Sequence, residues 1–444
     1  MLELITELID NKEYAKLRET LSDMNEADIA EILEDIPVEK TVRIFRLLPK
    51  AAAAEIFSLM SIEREQEVIN LLSDKEAATI IDNLYADDAA DLVEEMPANV
   101  VKRILAQTDP ETRRDINHLL KYPDDSAGSV MTVEFIDVKD NYTVGDAIKT
   151  IKRQGLDSEV VDTAYVLDNE RKLVGTVTLR SLILNEEDTP ITEIMDDNVI
   201  SVNTLEDQEV VAMEFTKYDL TVMPVVDMED RLVGIITIDD VVDIIQEEAT
   251  EDIKKMAAIL PSEKTYFNTG VLDTFKGRIP WLLILMISAT FTGKIIQSFE
   301  TALAAHVILT SFIPMLMDTG GNAGSQASVT VIRALSLGEI EYRDAFRVLW
   351  KEARVGILTG VVLATANFAK IMLVDQVDLP VAITVCVTVC FVVCLAKLLG
   401  CILPIIVKRV GLDPAVMASA LLTTILDALS LLMFFTIARI ILHF

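Results

Sequence analysis

Residues 312–333, FIPMLMDTGGNAGSQASVTVIR, interrupt an apolar region with groups that can bind a cation. They include the carboxylate Asp318, the glycines Gly320 and Gly321, and the amide Asn322. Glycine lets another backbone or a ligand approach closely, and a carboxylate at membrane depth is costly unless it faces a partner or a water-filled path. The segment therefore predicts a polar passage lined by these four residues.

A second carboxylate, Asp427, lies in the apolar sequence TTILDALSLLMFF. A lone carboxyl group there is protonated, hydrogen-bonded between helices, or in contact with a cation. Only the cation requires the amides and hydroxyls of residues 312–333, which makes Asp427 a candidate metal ligand, with a structural carboxyl group between helices as the alternative. Asp413, which precedes Pro414, is first of all a helix N-cap with proline at the first helical position.

Residues 239–261, DDVVDIIQEEATEDIKKMAAILP, predict a helix with acids at helical spacing: Asp240, Asp243, Glu248, Glu251 and Asp252. The last three lie at i, i+3 and i+4 and so project from one face. Mg²⁺ prefers such hard oxygen ligands and keeps several waters beside one or two carboxylates. From the residues alone a solvated acidic face is the first interpretation of this helix, and a magnesium site is the alternative.

Five apolar stretches that could cross a bilayer follow Arg278: residues 280–298, 302–334, 353–374, 380–407 and 414–441. Basic residues crowd the loops after the second and fourth stretches: Arg333, Arg343, Arg347, Lys351, Arg354, Lys408 and Arg409. The positive-inside rule then predicts a cytoplasmic amino terminus and an external carboxyl terminus, and the absence of a signal peptide agrees. The four cysteines share one apolar stretch without a nearby histidine, which favours helix packing over a metal site.

The charge of the chain is distributed very unevenly. It has 444 residues, 51% of them hydrophobic, and a net charge of -32. The part from Arg278 onward carries 10 acidic and 12 basic residues, so the excess of acid lies in residues 1–277. Such a charge repels nucleic acid and opposes compaction unless multivalent cations bind between the acidic surfaces. A divalent cation is the predicted ligand, and simple solubility of an acidic domain is the alternative.

Residues 1–128 predict short helices in tandem, separated by prolines: Pro37, Pro49, Pro97 and Pro110. Units too short to fold alone are typical of an all-α superhelix with a stacked core. Asp87 and Asp91 lie four residues apart and should share a helix face. Their like charges repel unless a cation or a basic side chain lies between them, so both are candidate metal ligands, with a solvated surface face as the alternative.

Residues 129–249 contain an internal repeat. VMTVEFIDV is echoed by IMDDNVISV, and RKLVGTVTLRSLI by DRLVGIITIDDVV, which places Gly175 and Gly234 59 residues apart. Alternating strands and helices at this period predict two α/β units of one domain, residues 129–190 and 191–249. They resemble a tandem pair of CBS domains.

The segment TGGNAGSQAS, followed by IRALSLGEI, resembles the signature of the MgtE family of magnesium channels and transporters, and the resemblance covers essentially the whole chain. It implies a multidomain membrane protein with a superhelical N domain (1–128), a tandem CBS pair (129–249), a connecting plug helix (250–277) and a transmembrane pore domain of five helices (278–444).

The resemblance also assigns roles to single residues. Asp427 matches the ion-site carboxylate of the pore and Asn322 a pore-lining asparagine, while the acids of the connecting helix match regulatory Mg²⁺ ligands, to which we add Asp219. The counterpart of Asp413 faces the plug helix. In many CBS domains a T-x-x-D sequence holds the ribose of an adenine nucleotide. The second half keeps Thr237 and Asp240, whereas the first half has Ser181 in place of the acid.

The residues and the resemblance together predict a Mg²⁺-selective channel or channel-like transporter in the plasma membrane that is closed by internal Mg²⁺. The protein is predicted to catalyse no reaction. Five spans with one polar seam enclose a pore best as a homodimer. The alternatives are a membrane-anchored nucleotide or metal sensor, and a transporter for Co²⁺ or Mn²⁺. The sequence departs from the family pattern at four positions that bear on pore width: Ala323, Ser325, Ser419 and Ala420.

Overall fold

The computed structural model describes residues 1–262, 266, 269–417 and 420–443. It divides into two compact units, Met1–Ile244 and Ile245–Phe444. The first unit contains the tandem helices and the repeated α/β segments of the acidic half. The second contains the long apolar helices.

The first 125 residues, all described, form ten short helices. Their bounds are α1 (Leu2–Asp10), α2 (Tyr14–Ser22), α3 (Glu26–Asp35), α4 (Val38–Phe45), α5 (Lys50–Ser58), α6 (Ile62–Leu71), α7 (Asp74–Ile81), α8 (Ala86–Glu94), α9 (Ala98–Leu105) and α10 (Pro110–Leu119). Helices two apart in the chain pack together, as α3 with α5, α5 with α7 and α7 with α9. The prolines of the repeat occupy N-cap positions or, at Pro110, the first helical position. They mark helix starts because the missing N–H has no helical partner there.

The repeated segment forms two small sheets of the same topology. The first contains β1 (Asp137–Lys139), β2 (Thr163–Leu167) and β3 (Leu173–Thr178), and the second β4 (Val202–Asn203), β5 (Val222–Val226) and β6 (Leu232–Thr237). In each sheet the first strand is parallel to the second, which pairs antiparallel with the third. The helices of this region are α11 (Val144–Gln154), α12 (Leu179–Leu184), α13 (Ile191–Ile194) and α14 (Gln208–Tyr218). The predicted pair of α/β units is confirmed.

The two glycines of the repeat let a strand from the other half cross closely. A Cβ on Gly234 would lie 2.7 Å from the Thr132 carbonyl oxygen, and one on Gly175 would lie 3.0 Å from that of Asp196. Each crossing is fixed by backbone pairing, Thr132 with Ile235 and Thr176 with Asp196. The sequence spacing of the glycines therefore reports the pseudo-symmetry of the domain pair.

The second unit consists mainly of long helices. After α15 (Ile238–Met256), they are α16 (Val271–Ser298), α17 (Glu300–Ala305), α18 (Ile313–Ser336), α19 (Ala345–Lys370), α20 (Leu379–Arg409) and α21 (Ala420–Leu442). Among the described residues, four helical segments are long and apolar enough to cross a membrane: Val271–Ser298, Tyr342–Asp375, Leu379–Arg409 and Leu421–Leu442. Helix α18 is not among them because its polar residues lower its hydropathy. Its 24 residues nevertheless extend for about 36 Å.

The second apolar stretch differs from the prediction at its start. The sequence indicated one span from residue 302, whereas the structure has α17, then a 3₁₀ segment at Val307–Phe312, and begins α18 only at Ile313. Pro314 lies in the first turn of α18, where proline is tolerated. The connecting helix also ends earlier than expected, at Met256 rather than at Pro261.

Candidate ion-binding sites

A pocket of about 410 Å³ that contains several polar side chains opens between α18 and α21. Its lining consists of Ile313, Pro314, Met317, Asp318, Gly321, Asn322, Thr423 and Asp427. Two carboxylates, an amide and a hydroxyl thus share one cavity within an apolar helix bundle. Oxygen ligands of this kind suit a hard cation such as Mg²⁺.

Helical spacing puts the α18 residues of this pocket on one face. Pro314, Asp318 and Asn322 follow each other at intervals of four, and Gly321 lies beside them on the side of α21. A Cβ on Gly321 would lie only 2.5 Å from Thr423 Cγ2. The absence of a side chain at Gly321 therefore lets α21 approach and brings Asp427 into the same pocket as Asp318.

Gly320, which the sequence predicted to line the passage, has a different environment. It is buried, and an added Cβ would lie 2.8 Å from both Ser430 Oγ and Val392 Cγ1. It therefore serves helix packing, because α18 turns by about 100° per residue and Gly320 and Gly321 cannot face the same neighbours. Gly324 and Gly400 also serve packing, since a Cβ on Gly400 would lie 2.3 Å from the Gly324 carbonyl oxygen.

Asn322 and Asp318 are exposed in the single chain, and Asp427 is half-buried. Ser325, one of the departures from the family pattern, is half-buried on the same helix, whereas Ala323 is buried. Ser419 lies outside the described residues, and Ala420 is the first residue of α21. An exposed polar face on a membrane helix needs water or another protein surface against it.

A second group of carboxylates lies in the first unit, at the start of α15. Glu159, Asp239 and Asp240 each place an oxygen within 4.8 Å of the others. The Thr237 hydroxyl donates a hydrogen bond of 2.6 Å to Asp240 Oδ2, which orients that carboxylate. Three carboxylates at this separation repel one another, and a divalent cation would relieve the repulsion.

Helix α8 brings further acids to this cluster. Ala86 and Ala90 belong to the hydrophobic core that also contains Phe215 and Val241. This packing places Asp87, which is only 7% exposed, near the cluster, and its Oδ1 accepts a hydrogen bond of 2.9 Å from the Asp88 N–H. The hydrophobic contact thus holds like charges together that would otherwise separate.

Burial and mutual repulsion perturb these carboxyl groups. Burial, followed by the charges of Asp240 and Asp239, raises the pKa of Asp88 to about 6. Burial and Asp240 raise the pKa of Glu159 to about 8. The pKa of Asp87 is raised well above its ordinary value by burial and by Asp88 and Asp240. Bound protons or a bound metal ion are therefore needed to neutralise the negative charge of this cluster.

We expect the first unit to loosen with rising pH when divalent ions are absent. A carboxyl group whose pKa is raised on folding stabilises the fold fully below its ordinary pKa, and this contribution is lost as the pH rises through the raised value. For Asp88 and Glu159 the loss ends near pH 6 and pH 8. Limited proteolysis of the full chain in EDTA should accelerate over this range, and Mg²⁺ should slow it most at the alkaline end.

Glu159→Gln removes one ionisable carboxyl group of the cluster and should weaken both the pH effect and the Mg²⁺ effect. Glu170→Gln is the matched control, because Glu170 is exposed in the turn between β2 and β3. Proteolysis rates that are independent of pH and Mg²⁺ in the parent chain would show that solvent already relaxes the repulsion.

Asp91, predicted to share a face with Asp87, is exposed whereas Asp87 is buried. The charge of Asp91 acts on another buried acid, Glu65 on α6, which is 7% exposed. Burial, then the charges of Asp88 and Asp91, raise the pKa of Glu65 to about 9. Neither Glu65 nor Glu159 stood out in the sequence, because each reaches its partners only through contacts between distant segments.

In the second unit, the carboxylates at the end of α15 meet a lysine. Lys255 Nζ lies 2.7 Å from Glu251 Oε2 and 2.7 Å from Asp413 Oδ2. Asp252 Oδ2 accepts a hydrogen bond of 3.4 Å from the Ser336 hydroxyl. A basic side chain, which the sequence analysis did not consider for this face, therefore compensates two of the acids.

Asp413 makes a second contact, and three further predicted ligands, Asp219, Asp243 and Glu248, have simpler surroundings. The Asp413 Oδ1 accepts a hydrogen bond of 2.7 Å from the Ala415 N–H at the start of the 3₁₀ segment Pro414–Met417, so Asp413 caps this short segment. The long helix of the last span, predicted to begin at Pro414, begins at Ala420 instead. Asp219 is exposed and ends α14 in the left-handed conformation, with φ of 52°. Asp243 is exposed, and Glu248 is half-buried.

The two T-x-x-D positions of the CBS pair differ. In the first half the Thr178 and Ser181 hydroxyl oxygens lie 3.0 Å apart, with Thr178 exposed and Ser181 half-buried. In the second half the Thr237–Asp240 pair belongs to the carboxylate cluster with Glu159. The neighbouring negative charges would repel the phosphates of a nucleotide, so this position suits a cation better.

Comparison with known proteins agrees with this division of the chain. Residues 24–125 match the MgtE intracellular N domain, residues 127–187 and 191–247 match CBS domains, and residues 313–437 match the divalent cation transporter domain named MgtE. The magnesium transporter MgtE of Thermus thermophilus is 36% identical over 348 residues, which cover 77% of this chain and 76% of the relative. That of Bacillus subtilis is 34% identical over 339 residues, 76% of this chain and 74% of the relative.

Solved structures resemble about half of this chain. The soluble part of a magnesium transporter aligns with a TM-score of 0.53 at 31% identity, covering 56% of this chain and 98% of that one. The cytosolic domain of the Mg²⁺ channel MgtE, crystallised with ATP, aligns with a TM-score of 0.52 at 35% identity, covering 55% of this chain and all of that one. The chain therefore belongs to the MgtE family, whose members are transporters and not enzymes.

Proposed function

We propose that this protein carries Mg²⁺ across the plasma membrane as a channel or channel-like transporter. The observation that supports this most is the pocket in which Asp318, Asn322 and Asp427 converge from α18 and α21. Carboxylate and amide oxygens without histidine or cysteine favour a hard divalent ion over softer metals. The relatives named as magnesium transporters support the same ion.

We further propose a homodimer with five spans in each subunit. Helix α18 would cross the membrane in addition to the four apolar helices, as the second span in chain order. The exposed polar face of α18, with Asp318 and Asn322, would face a second copy and the ion path rather than lipid. The basic ends of α18, α19 and α20 would lie in the cytoplasm, together with the amino terminus and a superhelical N domain. The carboxyl terminus would then be external.

Internal Mg²⁺ would regulate conduction through the acidic parts of both units. In the first unit, the candidate sensor is the cluster of five acids Asp87, Asp88, Glu159, Asp239 and Asp240. In the second unit, Mg²⁺ would compete with Lys255 for Glu251 and Asp413. Ions that bind the closed state better than the open state shift the equilibrium towards closure, and several weak sites together supply the difference.

We also propose that the CBS pair binds an adenine nucleotide, since a related cytosolic domain was crystallised with ATP. The sequence analysis assigned this ligand to Thr237 and Asp240. The carboxylates beside Asp240 favour a metal ion there, so a nucleotide at that position would have to bind together with Mg²⁺.

Flux into proteoliposomes with Mg²⁺ varied separately on each side tests the proposal. We expect Mg²⁺ uptake down its gradient that falls when Mg²⁺ is raised on the side of the acidic unit. Competition by Co²⁺ and Mn²⁺ in the same assay tests the alternative ions. Absence of any divalent flux would favour the alternative of a membrane-anchored sensor.

A further inference from the structure

Helix α19 is longer than a bilayer requires. The helical segment that contains it runs from Tyr342 to Asp375, 34 residues, whereas about 20 residues cross the hydrocarbon core. Counting back from Val374, such a core ends near Val355. The turns that precede Val355 therefore lie at the level of the lipid headgroups, and Arg354 lies at the boundary.

These turns carry a cluster of basic and aromatic side chains on one face. Arg347, Trp350, Lys351 and Arg354 lie at i, i+3, i+4 and i+7, and all four are exposed. The Arg354 guanidinium lies 5.9 Å from the centre of the Trp350 ring, and 59% of Trp350 is exposed. Arg347 contacts Asp344 at 3.3 Å, but with 87% of its side chain exposed it retains most of its hydration. The face is strongly cationic.

The same face continues as an apolar stripe into the membrane. Leu358, Val361 and Val362 are 70%, 52% and 66% exposed. The packed side of α19 is a different one, where Gly356 and Gly360 contact Cys394 and Cys390 of α20. The exposed face thus combines cations at the headgroup level, an aromatic ring at the boundary, and apolar side chains beyond it.

We propose that this face of α19 binds an anionic phospholipid. The phosphate would accept hydrogen bonds from Arg347, Lys351 and Arg354, Trp350 would lie at the glycerol level, and the acyl chains would cover the apolar stripe. A zwitterionic lipid carries its own ammonium group, so three protein cations favour a headgroup with net negative charge. The inference requires only that α19 spans the bilayer and is independent of the transported ion.

Tryptophan fluorescence can test this site directly, because the chain has two tryptophans, Trp281 and Trp350. In the full-length Trp281→Phe variant, Trp350 reports on the proposed site alone. The protein is reconstituted into vesicles of phosphatidylcholine and phosphatidylglycerol at a ratio of about 4:1. Bromine quenchers near the headgroup end of the acyl chains are placed on one lipid or on the other.

We expect brominated phosphatidylglycerol to quench Trp350 several-fold more than its mole fraction predicts, since each basic residue near an anionic surface contributes up to roughly fivefold in binding. Arg347→Gln with Arg354→Gln should bring the quenching close to the mole-fraction value. The control Arg333→Gln with Arg409→Gln removes the same charge from exposed positions at the same end of α18 and α20 and should leave the quenching unchanged.

Two results would overturn the proposal. Quenching of Trp350 in proportion to mole fraction would mean that the face does not select the anionic lipid. An equal loss of selectivity in both double variants would mean that only the overall surface charge matters. In a Trp350→Phe chain, Trp281 on α16 should show no comparable preference, which excludes a general enrichment of the lipid around the protein.

Discussion

Asp427→Asn is expected to reduce Mg²⁺ uptake to near the background of protein-free vesicles. The carboxylate lines the pocket together with Asp318, and the amide keeps its shape while removing its charge. At an effective dielectric constant of about 20, a charge about 4 Å away contributes about 4 kcal/mol per unit charge. For a divalent ion, losing even about a third of this interaction energy lowers the occupancy of the pocket by the ion by at least about a hundredfold.

Uptake into proteoliposomes measures the effect, and unchanged elution from a sizing column shows that the variant is folded. Asp378→Asn provides a control, because this acid lies at the start of α20 outside the pocket lining. Asp318→Asn should give an intermediate loss, since Asp318 is more exposed than Asp427. Normal uptake by Asp427→Asn would place the ion path elsewhere.

The residues of this pocket could be predicted from the sequence because their signal is local. Carboxylates and amides in an apolar helix are unusual, so Asp318, Asn322 and Asp427 stood out without any knowledge of the fold. What the sequence did not separate was the function of adjacent glycines. Gly321 lines the pocket, whereas Gly320 packs against Ser430. Which of the two glycines faces the pocket depends on the rotation of α18 about its axis relative to the neighbouring helices.

The acidic clusters were predictable only in part. Asp240 and Glu251 were selected because they lie at helical spacing on one segment. Glu159 contributes to the Asp240 cluster from a loop distant in sequence, where a single glutamate carries no signal. The pairing of Lys255 with Asp413 likewise depends on how two remote segments of the second unit pack. Local spacing therefore found the acids but not their partners.

Neutralising Glu248, Glu251 and Asp252 together should yield a protein that conducts but no longer closes at high internal Mg²⁺. Losing ligands weakens an ion-bound closed state, whereas losing like-charge repulsion favours the compact form without any ion. We expect ligand loss to dominate, because a partly buried carboxylate interacts with a divalent ion more strongly than with screened surface charges. Asp252 is partly buried, and burial raises its pKa.

Patch recordings with internal Mg²⁺ stepped from micromolar to about ten millimolar cover the range of weak carboxylate sites and measure the closure. Glu247→Gln, an exposed neighbour on the same helix, serves as the control. If the triple variant closed at the same internal Mg²⁺ concentration as the parent chain, regulation would instead depend on the acidic cluster of the first unit that contains Asp87 and Asp240.

Lys255→Gln should have the opposite effect and close the pore at lower internal Mg²⁺. Lys255 now supplies the positive charge between Glu251 and Asp413, at 2.7 Å from each. A magnesium ion that binds these carboxylates must displace that ammonium group, so the lysine sets the concentration at which the exchange occurs. Glutamine keeps much of the length but leaves the two acids uncompensated, which raises their affinity for a divalent ion. A shift of closure to higher Mg²⁺ in Lys255→Gln would instead mean that the ion pair itself stabilises the closed state.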